Sequence, residues 1–167
     1  LVNDRAGFIA NSLLFGYLNQ AITMYEQKYA SREDIDSAMK FGCGLPMGPL
    51  ALLDLIGLDT SLQILDTMYR ESRDRLHAPS ALLKQLVSAG RLGRKSGHGF
   101  YTYEVNNVPV VVSDSQTPAQ EGAMVASGIT SVGVVGSGTM ATGIASVFAS
   151  AGVNVLVLTR SEQRSQE

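Results

Sequence analysis

Apolar residues recur at helical spacing over the first forty residues of the chain. Residues 7–28 contain no proline and carry apolar side chains on more than one helical face, which predicts a long, largely buried helix. Ser31 then stands where a helix N-cap is expected, with Asp34 three positions later and a single apolar packing face after it. The pattern therefore predicts a second helix that ends near Gly42.

The same spacing continues to residue 90, with breaks that divide it into three further helices. Pro49 stands at a position typical of a helix start, and Gly57 separates a short apolar helix from a longer amphipathic one. Residues 80–90 repeat the helical spacing and end at Gly90, a residue typical of a C-terminal cap. The first ninety residues thus predict five helices and almost no strand.

The helical pattern stops after this point. The stretch "GRLGRKSGHGFYTYE" contains four glycines followed by alternating aromatic residues, which predicts a loop that leads into a short extended segment. Residues 105–130 hold only two charged residues, Asp114 and Glu121, and pass from the β-prone "VPVVV" into small and polar residues. We therefore predict an interdomain linker over residues 105–130.

Residues 131–160, "SVGVVGSGTMATGIASVFASAGVNVLVLTR", change to strand, glycine turn, helix and second strand. In a dinucleotide-binding fold, Gly136 permits the tight turn and Gly138 lets the backbone approach a pyrophosphate. Ala141, with Gly143 behind it, leaves room for close packing of the helix on the strand. This stretch predicts the opening βαβ unit of a dinucleotide-binding domain.

Residues at the start of the helix and at the end of the second strand indicate which cofactor this unit would bind. The helix that opens at Thr139 and Met140 offers unpaired backbone N–H groups to phosphates. A carboxylate at the end of the second strand would bind the ribose 2′-hydroxyl of NAD, but Thr159 stands there and Arg160 follows. Arg160 suits the 2′-phosphate of NADP, or else the two residues only mark the end of the strand. NAD is the expected cofactor, with NADP as the alternative.

Together these elements predict a mainly α chain in three parts. A five-helix domain covers about residues 1–104, the linker follows, and residues 131–167 hold an incomplete, Rossmann-like βαβ unit. A complete dinucleotide site needs two such halves, and 167 residues suffice for one domain with a sizeable core plus part of another. The glycine turn is therefore expected to begin a second, truncated module.

Composition and charge give no indication of a nucleic-acid or membrane partner. The net charge is −2, with 17% charged and 45% apolar residues, which gives no basic excess for nucleic acid or an anionic membrane. The single Cys43 cannot form an internal disulfide, and neither a leader nor a run of about twenty apolar residues stands out. Cys43 lacks a paired histidine and is expected to be a packing residue. No metal-ligand spacing is found, and we expect a cytoplasmic protein.

Three stretches of the helical part resemble one family. The sequences "GFIANSLL", "ASREDIDSAMKFGCGLPMGPLALLDLIGLD" and "GRLGRKSGHGFYTY" are similar to the C-terminal helical domain of the 3-hydroxyacyl-CoA dehydrogenases. The resemblance implies a role in fatty acid β-oxidation, an acyl-CoA substrate and a homodimer formed through the helical domain. In that family the NAD-binding domain precedes the helical domain, whereas here a glycine motif follows it. We therefore expect two dehydrogenase-like modules in tandem, of which this chain holds the end of the first and the beginning of the second.

The resemblance also assigns site residues. Asn11 matches the Asn that the family brings from its helical domain to the active site, where it positions the 3-oxygen of the substrate or the catalytic His. We expect it to be a buried amide. Met47 and Pro49 match residues that border the acyl pocket. The catalytic His and its Glu partner belong to the NAD-binding domain, in a segment expected before Leu1, so the chain by itself is expected to be inactive.

The remaining polar residues can be explained without a catalytic role. His77 and His98 lack a neighbouring carboxylate in the sequence and are expected on the surface. Asp54 and Asp59 fall at a helix junction, where Asp59 can cap a helix. Basic residues of the glycine-rich loop could meet coenzyme A phosphates or could be solvated; they are Arg91, Arg94 and Lys95.

Two alternative functions stay open at the level of sequence. One is a different Rossmann-type hydroxy-acid dehydrogenase, which the "LPMGP" and "GHGFY" stretches disfavour. The other is a non-catalytic dimerisation or structural module. It is favoured by Ser12, because the family usually has Arg after the active-site Asn.

Overall fold

The computed structural model describes residues 6–118 and 128–159. The chain divides after Pro118 into two compact units, one mainly helical and one built around a single helix and a pair of parallel strands. This confirms the predicted mainly α chain with a small Rossmann-like βαβ unit. The prediction for Arg160 lies outside the described residues.

The first helix, α1, covers Ala10–Glu26 and packs one apolar stripe of side chains into the core. It begins after the predicted start at residue 7, because Gly7 and Phe8 have positive φ angles of 82° and 47°, which an α-helix does not accept. The buried apolar residues of α1 are Phe15, Leu18, Ala21 and Ile22.

The second helix, α2, covers Arg32–Ser37 and continues as one π-helical turn over Ala38–Gly42. Its N-cap is the predicted one: the Ser31 hydroxyl accepts a hydrogen bond from the Asp34 amide at 3.0 Å. The wider π-helical turn brings the chain to the glycine-rich and proline-rich segment that precedes the next helix.

Three further helices complete the helical unit: α3 over Pro49–Ile56, α4 over Leu58–Ser72 and α5 over Ala81–Ser88. Gly57 divides α3 from α4 with a φ of 100°, as its position predicts. Short 3₁₀ turns lie at Arg75–His77 and Arg94–Ser96. The core between the helices is made of aliphatic and aromatic residues, chiefly Leu18, Ile22, Leu50, Leu53, Leu58, Leu65, Leu83 and Phe100.

The segment after the last helix folds back onto the helical unit. Strand β1, Thr102–Tyr103, pairs antiparallel with β2, Val111–Val112. Beyond β2, the Asp114 carboxylate accepts hydrogen bonds from the Arg32 guanidinium at 2.9 Å from Nη1 and 2.7 Å from Nη2. We call residues 105–118 the strap. The helical unit therefore extends to Pro118, past the boundary near residue 104 predicted from the sequence, because the fully buried Arg32 takes part of its acceptors from the strap.

The second unit is the predicted βαβ unit. Strand β3, Ser131–Val135, and strand β4, Asn154–Leu158, run parallel, and α6, Thr139–Ser150, connects them. Among residues 128–159, Val134 alone is buried, because one helix and two strands cannot cover one another's apolar faces. Large apolar side chains therefore remain exposed: Val135, Met140, Ile144, Val147, Leu156 and Leu158.

Candidate functional site

Asn11 lies in the first turn of α1 and is exposed, not buried as its apolar surroundings predict. Its side chain makes no hydrogen bond to any other residue that the structure describes. It lines an open cavity of about 390 Å³ between the start of α1 and one face of α4. The other lining residues are Ala6, Gly7, Gln63, Ile64, Thr67 and Met68. The Asn11 amide is thus free to bind a group from outside the helical unit.

The buried amide of α1 is Asn19, which sequence reasoning missed. Its Nδ2 donates to the carbonyl oxygens of Leu76 and Ala78 at 3.0 and 2.8 Å, and its Oδ1 accepts from the Ser80 amide at 3.3 Å. Position 19 falls on the same helical stripe as the buried apolar residues of α1, which is the signal that could have identified it. Asn19 is a structural residue with its hydrogen-bonding groups satisfied.

His77 is buried, with 6% of its surface exposed, so the prediction of a surface histidine is wrong. Its Nε2 lies 3.0 Å from the carbonyl oxygen of Ser12, in the first turn of α1. Its surroundings come from the packing of the Arg75–His77 turn against α1, which the local sequence does not reveal. His98 is exposed, as predicted.

The "LPMGP" turn is held by a buried carboxylate from α2. Asp36 accepts hydrogen bonds from the Leu50 and Ala51 amides at 2.8 and 3.0 Å, and so caps α3 from outside that helix. The Tyr101 hydroxyl donates to the same carboxylate at 2.9 Å. Burial raises the pKa of Asp36, while these three hydrogen bonds oppose the rise. A Cβ atom at Gly48 would overlap the Asp36 side chain, which explains the glycine of this turn.

A second buried carboxylate, Asp54, holds the "GHGFY" segment. It accepts hydrogen bonds from the Phe100 and Tyr101 amides, both at 2.9 Å, and from the Tyr103 hydroxyl at 3.0 Å. Burial raises the pKa of Asp54 to about 6. A Cβ atom at Gly99 would overlap this carboxylate. Asp54 is therefore a buried anchor, a role that its place at a helix junction did not predict.

Asp59 and two basic residues of the glycine-rich loop, Lys95 and Arg94, contact neighbouring side chains. Lys95 Nζ lies 2.6 Å from one Asp59 oxygen, and the pKa of Asp59 is lowered, chiefly by this hydrogen bond. No side-chain cap is present on α4, whose N-cap is Gly57, so the capping role predicted for Asp59 is wrong. The Arg94 guanidinium lies 5.8 Å from the centre of the Tyr103 ring. Contact of this loop with coenzyme A stays a prediction.

The two residues assigned to the acyl pocket lie in different surroundings. Pro49 begins α3 and lines an apolar cavity of about 380 Å³ between α1 and α2. Met47 is half-buried, with its sulfur 3.9 Å from an Arg94 nitrogen, and does not line that cavity. An acyl contact through either residue stays a prediction.

Cys43 is exposed, with its sulfur 3.9 Å from the Met39 sulfur, so the expected packing role is wrong. The described residues contain no group of three or more His, Cys, Asp or Glu side chains able to hold a metal ion. Nor does any helix in the described ranges combine the length and apolar character needed to cross a membrane.

The glycine turn of the βαβ unit has the backbone that a phosphate site requires. Gly136 has a φ of 133°, which favours glycine, and its amide donates to the Leu158 carbonyl at 2.9 Å. Gly138 is the N-cap of α6 and provides no side-chain cap, and a Cβ atom there would meet nothing within 4 Å. The first amides of α6, at Thr139 and Met140, therefore face open space. These residues fit a dinucleotide pyrophosphate.

The other residues predicted for this motif agree with their predicted roles to different degrees. A Cβ atom at Gly136 would lie 3.4 Å from the Ala141 Cβ, so a small residue keeps the helix close to the turn. A Cβ atom at Gly143 would meet nothing within 4 Å, so the packing role predicted for Gly143 is wrong for the described residues. Thr159 follows the end of β4, as predicted, and is engaged in an interaction of its own.

Among curated proteins, the chain is similar to dehydrogenases of acyl-CoA substrates. It is 50% identical over 101 residues to a 3-hydroxybutyryl-CoA dehydrogenase of Mycobacterium tuberculosis. It is also 50% identical over 102 residues to the human mitochondrial hydroxyacyl-coenzyme A dehydrogenase. These matches cover 60% of this chain but 35% and 32% of the relatives, so the chain spans about a third of their length.

Two solved structures are also similar. FadB2 of M. tuberculosis matches 60% of this chain and 35% of its own, at 51% identity and a TM-score of 0.59. The 3-hydroxybutyryl-CoA dehydrogenase of Escherichia coli matches 95% of this chain and 43% of its own, at 26% identity and a TM-score of 0.61. The second match is long enough to include residues of both units.

Two family models match separate parts of the chain. The 3-hydroxyacyl-CoA dehydrogenase NAD binding domain matches residues 131–167. The 3-hydroxyacyl-CoA dehydrogenase C-terminal domain matches residues 7–103, which include all five helices of the helical unit and both buried carboxylates. The chain therefore belongs to the 3-hydroxyacyl-CoA dehydrogenase family.

Proposed function

We propose that this chain is part of a nicotinamide-dependent 3-hydroxyacyl-CoA dehydrogenase, in which its helical unit contributes Asn11 to the substrate site. The observation that carries the proposal is the state of Asn11: an exposed amide without a partner among the described residues, on the wall of a 390 Å³ cavity. The amide offers both donor and acceptor atoms. It can donate to the 3-oxygen of an acyl-CoA or accept from its hydroxyl.

The reaction moves a hydride between C3 of the substrate and a bound nicotinamide, while a base takes the hydroxyl proton. Neither histidine of the helical unit is placed to be that base. His77 is tied to a backbone carbonyl, and the His98 side chain has no carboxylate partner within the described residues. The base and its carboxylate partner are therefore assigned to an NAD-binding domain that acts together with the helical unit, as the resemblance implies.

Two modules in tandem are part of this proposal. Support comes from the order of the two family matches and from the E. coli structure, whose match takes in residues of both units. In the second module, Gly136, Gly138 and the first amides of α6 would hold the pyrophosphate of the cofactor. NAD is the proposed cofactor, and a calorimetric titration with NAD and NADP distinguishes it from the alternative.

We also propose that the helical unit forms a homodimer. Tyr29 and Phe41 expose 77% and 83% of their surface, and Tyr29 lines the same apolar cavity as Pro49. Analytical ultracentrifugation of the wild-type chain and of a Tyr29→Ser, Phe41→Ser variant tests this, with dimer expected only for the wild type. A wild-type chain that stays monomeric at high concentration contradicts it. The expected cytoplasmic location stays a prediction, since one relative is named as mitochondrial.

A chimera tests the dehydrogenase proposal. Residues 7–103 replace the matching domain of the M. tuberculosis 3-hydroxybutyryl-CoA dehydrogenase, to which the region is 50% identical, and acetoacetyl-CoA reduction by NADH is measured. We expect an active chimera in which Asn11→Ala lowers kcat at least about tenfold, a typical effect of removing a group that acts on the reacting centre. The control is Gln85→Ala, an exposed amide on α5.

Each outcome decides between functions. A folded chimera that loses activity on Asn11→Ala and keeps it on Gln85→Ala supports the dehydrogenase role. A folded chimera that binds acyl-CoA without turnover favours the scaffold alternative. The chain on its own is expected to show no NADH oxidation with acetoacetyl-CoA, and measurable oxidation would contradict the assignment of the base to another domain.

A further inference from the structure

The start of α1, which carries Asn11, has no side-chain cap of its own. The N-cap residue Ile9 provides no side-chain cap, and the preceding Gly7 and Phe8 have left-handed φ angles. The Asn11 and Ser12 amides share one acceptor, the Gly7 carbonyl oxygen, at 3.1 and 3.3 Å. Locally, the first turn is thus held by backbone bonds alone, and the side chains that hold it come from other parts of the helical unit.

Two elements reach this end of α1 from outside the helix. The exposed Glu71 carboxylate accepts from the Ala6 amide at 2.9 Å, before the helix begins. Within the first turn, His77 Nε2 lies 3.0 Å from the carbonyl oxygen of Ser12. A carbonyl only accepts, so Nε2 carries the hydrogen. Of these two contacts, the less exposed one is to Ser12, the residue next to Asn11.

The imidazole of His77 is itself held firmly. Its turn is fastened to α1 two helical turns further along, where Asn19 binds three backbone groups of residues 76–80. The ring lies against Gly16, where an added Cβ atom would come within 3.7 Å of Nε2. Its Nδ1 is buried and has no partner within the described residues. The packing therefore fixes both the position of the ring and the hydrogen on Nε2.

We propose that His77 is a positioning residue for Asn11. By fixing the Ser12 carbonyl, it holds the first turn of α1 in the orientation that presents the Asn11 amide to the cavity. The inference rests on the proposed function for the role of Asn11, but the effect of His77 on the turn is independent of that role. His77 does not touch the substrate in this arrangement, because its Nε2 is occupied by the peptide.

The first test measures the turn itself. Amide hydrogen exchange of residues 13–16 is followed by NMR in His77→Met, which removes the donor, and in His77→Gln, whose side-chain NH₂ can replace Nε2. Exchange in H77M should be faster by about fivefold relative to the amides of α5, as expected for the loss of one neutral hydrogen bond. H77Q should stay within about twofold of wild type, because the donor is kept.

The exposed His98 supplies the matched controls. His98→Met and His98→Gln make the same chemical changes at the other histidine of the chain and should leave the first turn unchanged. Unchanged exchange in H77M overturns the inference. Equal acceleration in H77M and H77Q also overturns it, because loss of packing and not of the donor would then be the cause.

The second test separates this inference from the proposed function. In the chimera, H77M, Asn11→Ala and the double variant form a cycle of kcat values. If His77 acts through Asn11, the double variant should be no slower than Asn11→Ala alone. Additive losses overturn the positioning role. An Asn11→Ala variant with full activity contradicts the proposed function instead, while the exchange data still decide whether His77 holds the turn.

Discussion

A single methyl group at Gly48 should disrupt the "LPMGP" turn. Gly48 has φ −70° and ψ 157°, a conformation open to any residue, so Gly48→Ala adds no backbone strain. The added Cβ would instead overlap the Asp36 carboxyl group. Since the backbone atoms of Asp36 also lie close, a change of side-chain rotamer does not relieve the overlap. The carboxylate must move away from the start of α3.

The size of the effect follows from the bonds that Asp36 makes. Its displacement breaks the hydrogen bonds from the Leu50 and Ala51 amides and from the Tyr101 hydroxyl. A hydrogen bond to a charged group contributes about 1.5–3 kcal/mol, and overpacking of a filled site costs about 1–3 kcal/mol. With partial relaxation, we expect Gly48→Ala to lower the free energy of unfolding by about 4 kcal/mol.

Urea unfolding followed by circular dichroism measures this change. The control is Gly42→Ala, the same substitution six positions earlier, where an added Cβ meets nothing within 4 Å and φ is not positive. That variant should lie within about 1 kcal/mol of wild type and can be slightly more stable, because alanine restricts the unfolded chain. If both variants unfold at the wild-type midpoint, the buried contact between Gly48 and Asp36 does not stabilise the fold.

Four further substitutions probe polar groups that differ in burial. The Asp54 carboxyl, with its pKa raised to about 6, adds most to stability below pH 4 and loses this contribution as the pH rises through 6. The free energies of unfolding of wild type and Asp54→Asn should therefore diverge by about 3 kcal/mol between pH 3 and 7, and parallel pH profiles would refute this. Asp114→Ala should lower the free energy of unfolding by about 3 kcal/mol at pH 7, because Arg32 stays buried with only part of its acceptors. Since the pKa of Asp114 is lowered in the folded state, this loss should shrink as the pH falls below 4. A loss that stays constant with pH would contradict this. In the same assay, Asn19→Ala should lower the free energy of unfolding by about 2 kcal/mol, whereas Asn11→Ala should lower it by less than about 0.5 kcal/mol. Equal losses would show that burial does not distinguish the two amides.

Several features could be predicted from the sequence because they depend on neighbours along the chain. The helices follow from apolar spacing, the Ser31 cap from a residue three positions away, and the glycine turn after β3 from backbone angles that few other residues adopt. Such patterns are local, so they appear in the sequence whatever the rest of the fold does. The family resemblance adds Asn11 as a site residue, a role that stays a prediction, while its exposure had to come from the structure.

Tertiary structure decided the roles of the isolated polar residues. Asp36 and Asp54 act on amides 14 to 47 residues away, His77 on a carbonyl 65 residues away, and Asp114 on a guanidinium 82 residues away. A carboxylate or an imidazole has the same local sequence signature whether it is solvated or buried, since burial depends on which distant segment packs over it. The sequence by itself therefore determined the elements, the glycine turn and the family motifs. Only the packing of distant segments decided that "LPMGP" and "GHGFY" close on two buried carboxylates, and that the strap completes the helical unit.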